Sequence, residues 1–342
     1  MLEIIKKRKI SVCVIILIVS ISGSFLAGYF IDNYLTTQKM EDFLKNFKPL
    51  RQKGLDYFYI SPLIGIESEE STKIGIFSDI KQDVNNNIKK YESEGKLTDE
   101  AVYFRDLNSS TWFGINEDEE FFPASLLKLT YALAAYKEDE DTHQFLNKRF
   151  LYTKEIDDLN KTREAADKTA LVVGQDYSVK DLIQIMITNS DNSARDAIDS
   201  IIDKKYLLQI FRLLGVKEPD PTRDFMLSAK DYALFLRVLY GATFLNNDHS
   251  EELLKMMTKT DFSDGIVKEL PTKVMISHKW GVHDFFDEKG KLTGFEVHDC
   301  GIIYNGSNPY LLCIMTKGIK SEDLLSFIST TSQIIFSDLN NQ

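Results

Sequence analysis

"FFPASLLKLTYALAAY", residues 121–136, decides how the rest of the chain is read. It opens like the first turn of a helix, with Pro123 where a missing N–H costs nothing, and then runs on as one. Leu, Ala and Tyr are enough for a core helix, so Ser125 and Lys128 need a separate reason. Side chains three apart share a helix face, with Cβ atoms roughly 5–6 Å apart, so hydroxyl and amine can meet. A serine hydroxyl is a weak nucleophile until a base takes its proton. A lysine among apolar neighbours has a lowered pKa and suits that task. Free N–H groups at the helix start would face developing negative charge. Taken alone, a capping serine beside a solvated lysine explains the pair more simply.

Working outward, "KIGIFSDIKQDVNNNIKKYESEGK" (73–96) has the apolar spacing of a helix, and "AVYFRDL" and "TWFGINE" read as two strands around "NSS". After residue 136 come amphipathic helices at 178–190 and 228–240. Strands follow at 272–282 and in "FEVHDCGIIY" and "YLLCIMTKG", and a helix closes the chain at 321–339. The order predicts an α+β fold: an antiparallel sheet flanked by terminal helices, with an all-helical subdomain between its strands.

The chain has 342 residues and a formal net charge of −11, and it shows no basic face for nucleic acid. Its start is different. "KKRK" (6–9) precedes the uncharged run 10–31, long enough to cross a bilayer as a helix. The expected organisation is a cytoplasmic basic segment 1–9, a transmembrane anchor 10–31, a stalk 32–72 and an extracytoplasmic domain 73–342. A cleaved signal peptide ending near Ser22 and Ser24 is the rival, but the apolar run continues past that site. Cys13 is an apolar filler in the run. Cys300 and Cys313 flank an Asn-Gly-Ser-Asn-Pro turn, so they can lie side by side as a disulfide or stay as two buried thiols.

Two further motifs bear on Ser125 and Lys128. "SDN" (190–192) falls just after a helix, and "HKWG" (278–281) lies on a strand near the C-terminal end. Ser-x-x-Lys, Ser-Asp-Asn and Lys-x-Gly, in that order, resemble the set of class A β-lactamases and penicillin-binding proteins, over about residues 73–340. The resemblance implies a Ser125 acyl-enzyme with Lys128 as base partner and Ser190 passing a proton to the leaving nitrogen. It also implies Asn192 holding the substrate amide, Lys279 supplying positive charge, and the N–H groups of Ser125 and Val282, beyond Gly281, as oxyanion donors. The implied substrate is a β-lactam or related amide. The alternative is a peptidoglycan D,D-peptidase with slow deacylation, or a silent wall-binding relative. No cofactor is implied, and a monomer is expected.

Two departures qualify this. Trp280 stands where the family has Thr or Ser, so carboxylate recognition is altered. The Glu-x-x-Leu-Asn loop that drives deacylating water is missing; Glu218, Asp220 and Asp224 are the nearest acids and read as solvated loop carboxylates. The five histidines, His143, His249, His278, His283 and His298, lack metal-ligand spacing. His278 and His283 flank the Lys-Trp-Gly strand and either line the cleft or pack against it. Trp112 and Phe113 read as core. "EDED" (138–141) and "NEDEE" (116–120) read as solvated loops.

Overall fold

The computed structural model describes residues 23–24, 26–32, 34–35, 50–52, 56–64, 77–161, 169–220, 222 and 224–341, and of residues 158–161 only the backbone. Most of the apolar run 10–31 lies outside the described residues. Among those described, no helix is long and apolar enough to cross a membrane.

Strands β1 (Asp99–Asp106), β2 (Trp112–Ile115), β7 (Met275–Phe286), β8 (Leu292–Tyr304) and β9 (Tyr310–Gly318) form one antiparallel sheet in the order β2-β1-β9-β8-β7. Strict alternation along β8 and β9 divides the core in two. Val297, Ile303, Leu312 and Ile314 face the terminal helices α1 (Ser78–Ser93) and α9 (Ser321–Asn340). Cys300, Ile302, Leu311, Cys313 and Met315 face the helical block, with Trp112 buried on that side and Phe113 on the other. The expected α+β layering is the one observed.

The block comprises α2 (Lys128–Thr142), α3 (Lys154–Lys161), α4 (Val179–Thr188), α5 (Asn192–Ile201), α6 (Lys204–Leu214), α7 (Ala229–Tyr240) and α8 (Asn247–Met257). Local chemistry sets its boundaries. Ser178 and Asp181 form a reciprocal capping box at the start of α4, and Asp191 caps α5 through the Ala194 N–H at 2.9 Å. Two-residue pairings β3 (Glu120–Phe121) with β6 (Leu227–Ser228), and β4 (Arg149–Leu151) with β5 (Asp176–Ser178), tie its loops.

Three details go beyond the sequence reading. "EDED" ends helix α2 rather than forming a loop, because its carboxylates take backbone donors from neighbours: Glu138 from Asp203, Asp139 from Leu146, Glu140 from Asn246. Part of the supposed stalk is built onto the domain. Glu251 on α8 accepts the N–H groups of Phe58, Tyr59 and Ile60 at 2.9, 2.8 and 3.0 Å, and Ser61 and Leu63 donate to Tyr240 and Gly241. Cys300 and Cys313 are cross-strand partners and form a disulfide, which settles the open alternative.

Candidate active site

The helix expected from Ser125 onward begins instead as a 3-10 turn, Ala124–Leu127, that passes into α2 at Lys128. Pro123 cannot donate a backbone hydrogen bond, and its carbonyl accepts the Leu126 N–H at 3.0 Å. Ala124 takes a left-handed backbone (φ 47°), which an L-residue holds only when its surroundings fix it. The tighter turn still sets Ser125 and Lys128 on one side, with Lys128 Nζ 2.9 Å from Ser125 Oγ.

Ser190 comes from the α4–α5 turn, where it too has a positive φ of 56°. The turn is held by Asp191, whose carboxylate also takes the Thr169 hydroxyl and the Ala170 N–H, the latter at 2.7 Å. Lys128 Nζ donates to the Ser190 carbonyl and lies 3.2 Å from its Oγ. From β7, Lys279 Nζ donates to the same Oγ at 2.9 Å and to the Trp280 carbonyl at 3.1 Å. One hydroxyl is thus shared by two lysine amino groups, one of which also reaches Ser125. Asn192 begins α5, two residues beyond Ser190. Lys128 is 4 % exposed and Lys279 fully buried. Burial, then the charge of Lys128, hold Lys279 well below the usual lysine range; Asp299 and Asp261 oppose this.

Glycine is required at position 281. A Cβ there would lie 3.0 Å from both the Pro123 carbonyl and the Ser125 nitrogen, too close for a side chain without movement. The absence of one lets the Ser125 turn lie on the edge strand β7, with Val282 next along it. Trp280 points to the opposite face of the strand and stacks on Phe262, with ring centroids 4.4 Å apart. Its Nε1 is buried with no hydrogen-bond partner among the described residues.

Of the flanking histidines, His278 packs rather than lines a cleft. It is buried with Nδ1 2.8 Å from Asp299 Oδ1, while Asp299 Oδ2 accepts the Ile266 N–H. His283 stacks on Phe122 at 4.2 Å, and burial lowers its pKa. Glu218 is half-exposed and bound to Arg212 at 2.6 Å, and Asp220 is exposed and bound to Thr222 at 2.7 Å, both in contact with solvent as expected. Among the described residues no His, Cys, Asp and Glu group could hold a metal ion.

A family model described as the β-lactamase enzyme family matches residues 79–339. The chain belongs to the β-lactamase enzyme family. It is an enzyme of the β-lactamase-like serine hydrolase type. Similar solved structures agree with the fold of this β-lactamase-family protein. A mutant of PBP-A, solved as its acyl-enzyme complex with penicillin G, is 20 % identical with a TM-score of 0.63, covering 78 % of this chain and 97 % of that one. A β-lactamase from Chitinophaga pinensis DSM 2588 is 15 % identical (TM-score 0.64), covering 77 % and 100 %. The TLA-1 extended-spectrum β-lactamase is 17 % identical (TM-score 0.62), covering 75 % and 98 %. A comparison with curated protein sequences returns no match.

Sequence reasoning missed two residues of this family member's site. Glu296 and His298 on β8 are buried and reach the backbone of Phe122, three residues before Ser125. The signal was present in "FEVHDC": Glu296 and His298 stand at period two, on the opposite face from Asp299, in a strand that continues as an apolar run.

Proposed function

We propose that the protein is an extracytoplasmic, membrane-anchored serine hydrolase that opens a β-lactam or related amide through a Ser125 acyl-enzyme. The observation that carries this reading is the convergence of Ser125 Oγ, Lys128 Nζ, Ser190 Oγ and Lys279 Nζ through contacts of 2.9–3.2 Å. Lys128 takes the proton of Ser125 as its oxygen attacks the carbonyl. The N–H groups of Ser125 and Val282 receive the developing oxyanion. The proton then passes by way of Ser190 to the departing nitrogen, with Lys279 holding the Ser190 hydroxyl in place. Asn192 orients the substrate amide. The PBP-A structure trapped with penicillin G supports the choice of acyl donor.

One observation favours slow release, as in a D,D-peptidase acting on peptidoglycan peptides. Of the three acids in the segment where the family's water-activating glutamate would be sought, Glu218 and Asp220 are already engaged by Arg212 and Thr222, and Asp224 is exposed. Intact-protein mass spectrometry over minutes to hours after penicillin addition tests both steps. A stoichiometric adduct on Ser125 is expected, with decay over hours. No adduct on Ser125 with penicillin or with a fluorophosphonate would end the acyl-enzyme reading, and decay within seconds would end the slow-release one.

A further inference from the structure

We propose that Glu296 and His298 are positioning residues that set the Ser125 turn for acyl transfer, an inference that rests on the reading of Ser125 above. They grip the backbone of one residue, Phe122, through its N–H and its carbonyl. Glu296 Oε2 accepts the Phe122 N–H at 3.0 Å, and His298 Nε2–H donates to the Phe122 carbonyl at 3.0 Å. Phe122 is the last residue before Ser125 with both a backbone donor and an ordinary backbone, since Pro123 has no N–H and Ala124 is left-handed.

The sheet explains how β8 reaches past β7 to do this. His298 is the cross-strand partner of Gly281, and Glu296 that of His283, so both project on the face that carries Lys279. Gly281 has no side chain to fill the gap between His298 and the turn. The same glycine that admits the turn therefore admits the ring that holds it. The tautomer is fixed as well. Nδ1 of His298 accepts the Thr316 N–H at 3.2 Å from β9, which leaves the proton on Nε2, facing Phe122.

Protonating His298 would place a second proton against the Thr316 N–H. Burial keeps the ring neutral, with its pKa pushed down to about 4, and the same burial raises that of Glu296. The charged groups facing the pair are each other, 3.9 Å apart, His283 from β7, Lys317 from β9 and Asp99 from β1.

The test resolves acylation of the full-length protein by a chromogenic penicillin into a binding constant and a first-order acylation rate. Glu296→Leu and His298→Phe remove the grip while keeping volume. A loss of about 10- to 100-fold in the acylation rate is expected, because a displacement on the order of 1 Å at a reacting group costs about that much. The binding constant should move by less than about 3-fold. Glu296→Gln should keep the acylation rate within about 3-fold, because its amide oxygen still accepts the Phe122 N–H. Folded Glu296→Leu and His298→Phe with the unaltered rate would overturn the assignment, as would loss confined to binding.

If the variants do not fold, nitrogen-15 spectra of the histidines in the unmutated protein serve instead. They should show His298 protonated at Nε2 alone, with the acylation rate falling as its second proton binds at low pH. A rate indifferent to that protonation would equally overturn the proposal. Fluorophosphonate labelling separates this failure from failure of the underlying reading: Ser125 still labels in the first case and does not in the second.

Discussion

Around Ser190, two lysine amino groups and the Ser190 hydroxyl are buried with the Ser125 hydroxyl half-buried beside them, whereas Glu218 is half-exposed and Asp220 and Asp224 are exposed. The first group has been removed from water at a cost that only mutual hydrogen bonding offsets, so each member's position depends on the others. The second stays in contact with solvent, where Glu218 pairs with Arg212 and Asp220 with Thr222. Buried groups are held to a geometry; solvated ones are free to leave it. The contrast puts Lys128, Ser190 and Lys279 among the buried groups and leaves the described acids between residues 215 and 226 apart from them.

The largest expected effect tests the buried side. Ser125→Ala should abolish covalent labelling by penicillin, a loss of about 10⁴-fold or more by analogy with nucleophile deletions in other serine hydrolases, read by intact mass. Lys128→Met, which keeps the stem and removes the amine, should slow acylation by about 10²- to 10⁴-fold while leaving the protein folded. A smaller loss would mean that another group takes the Ser125 proton, and the contrast would lose its central member.

The buried histidine near the site gives a prediction in pH. His298 has a folded pKa of about 4 against about 6.5 when unfolded, so the unfolded chain takes up the proton first. The stability it contributes is present above pH 6.5 and lost as pH falls toward 4. The loss should be about 3 kcal/mol. Denaturant unfolding of the native protein and His298→Phe at pH 7 and pH 4.5 would show it as a pH slope that the variant lacks.

Two smaller effects sharpen the comparison. Trp280→Thr breaks the stack on Phe262 and supplies a hydroxyl at the position where the family carries one. Acylation by carboxylate-bearing penicillins should rise by about 10-fold, a gain in keeping with one added charge-assisted hydrogen bond. A fall instead would make the indole part of the binding surface. Glu218→Gln should alter adduct decay by less than about 2-fold, since a half-exposed acid paired with Arg212 holds no water for attack. A tenfold slower decay would erase the distinction between the two regions.

Much of this was legible in the amino-acid order because it is local. The period-two strands, the Ser125–Lys128 spacing and the turn bearing Ser190 each follow from a few neighbouring residues. What could not be read depends on contacts distant in sequence. The grip on Phe122 joins residues 174 and 176 positions away, and a sequence reading does not show that β8 lies behind a glycine. The same holds for "EDED", whose helical ending is decided by donors from Asp203, Leu146 and Asn246. The docking of residues 56–64 draws on the Glu251 carboxylate, more than 190 positions further on, and on the Tyr240 and Gly241 carbonyls.

The cystine between β8 and β9 has a practical corollary for anyone making the protein. It closes a loop with a sequence separation of 13, and a cross-link of that span restricts the unfolded chain by about 3 kcal/mol. A host compartment that keeps thiols reduced would yield a chain without that tether, and both sulfurs are enclosed in the core beyond easy reach of an oxidant added after purification. Yield and melting temperature should therefore depend on where the polypeptide first folds, and only weakly on how it is treated afterwards.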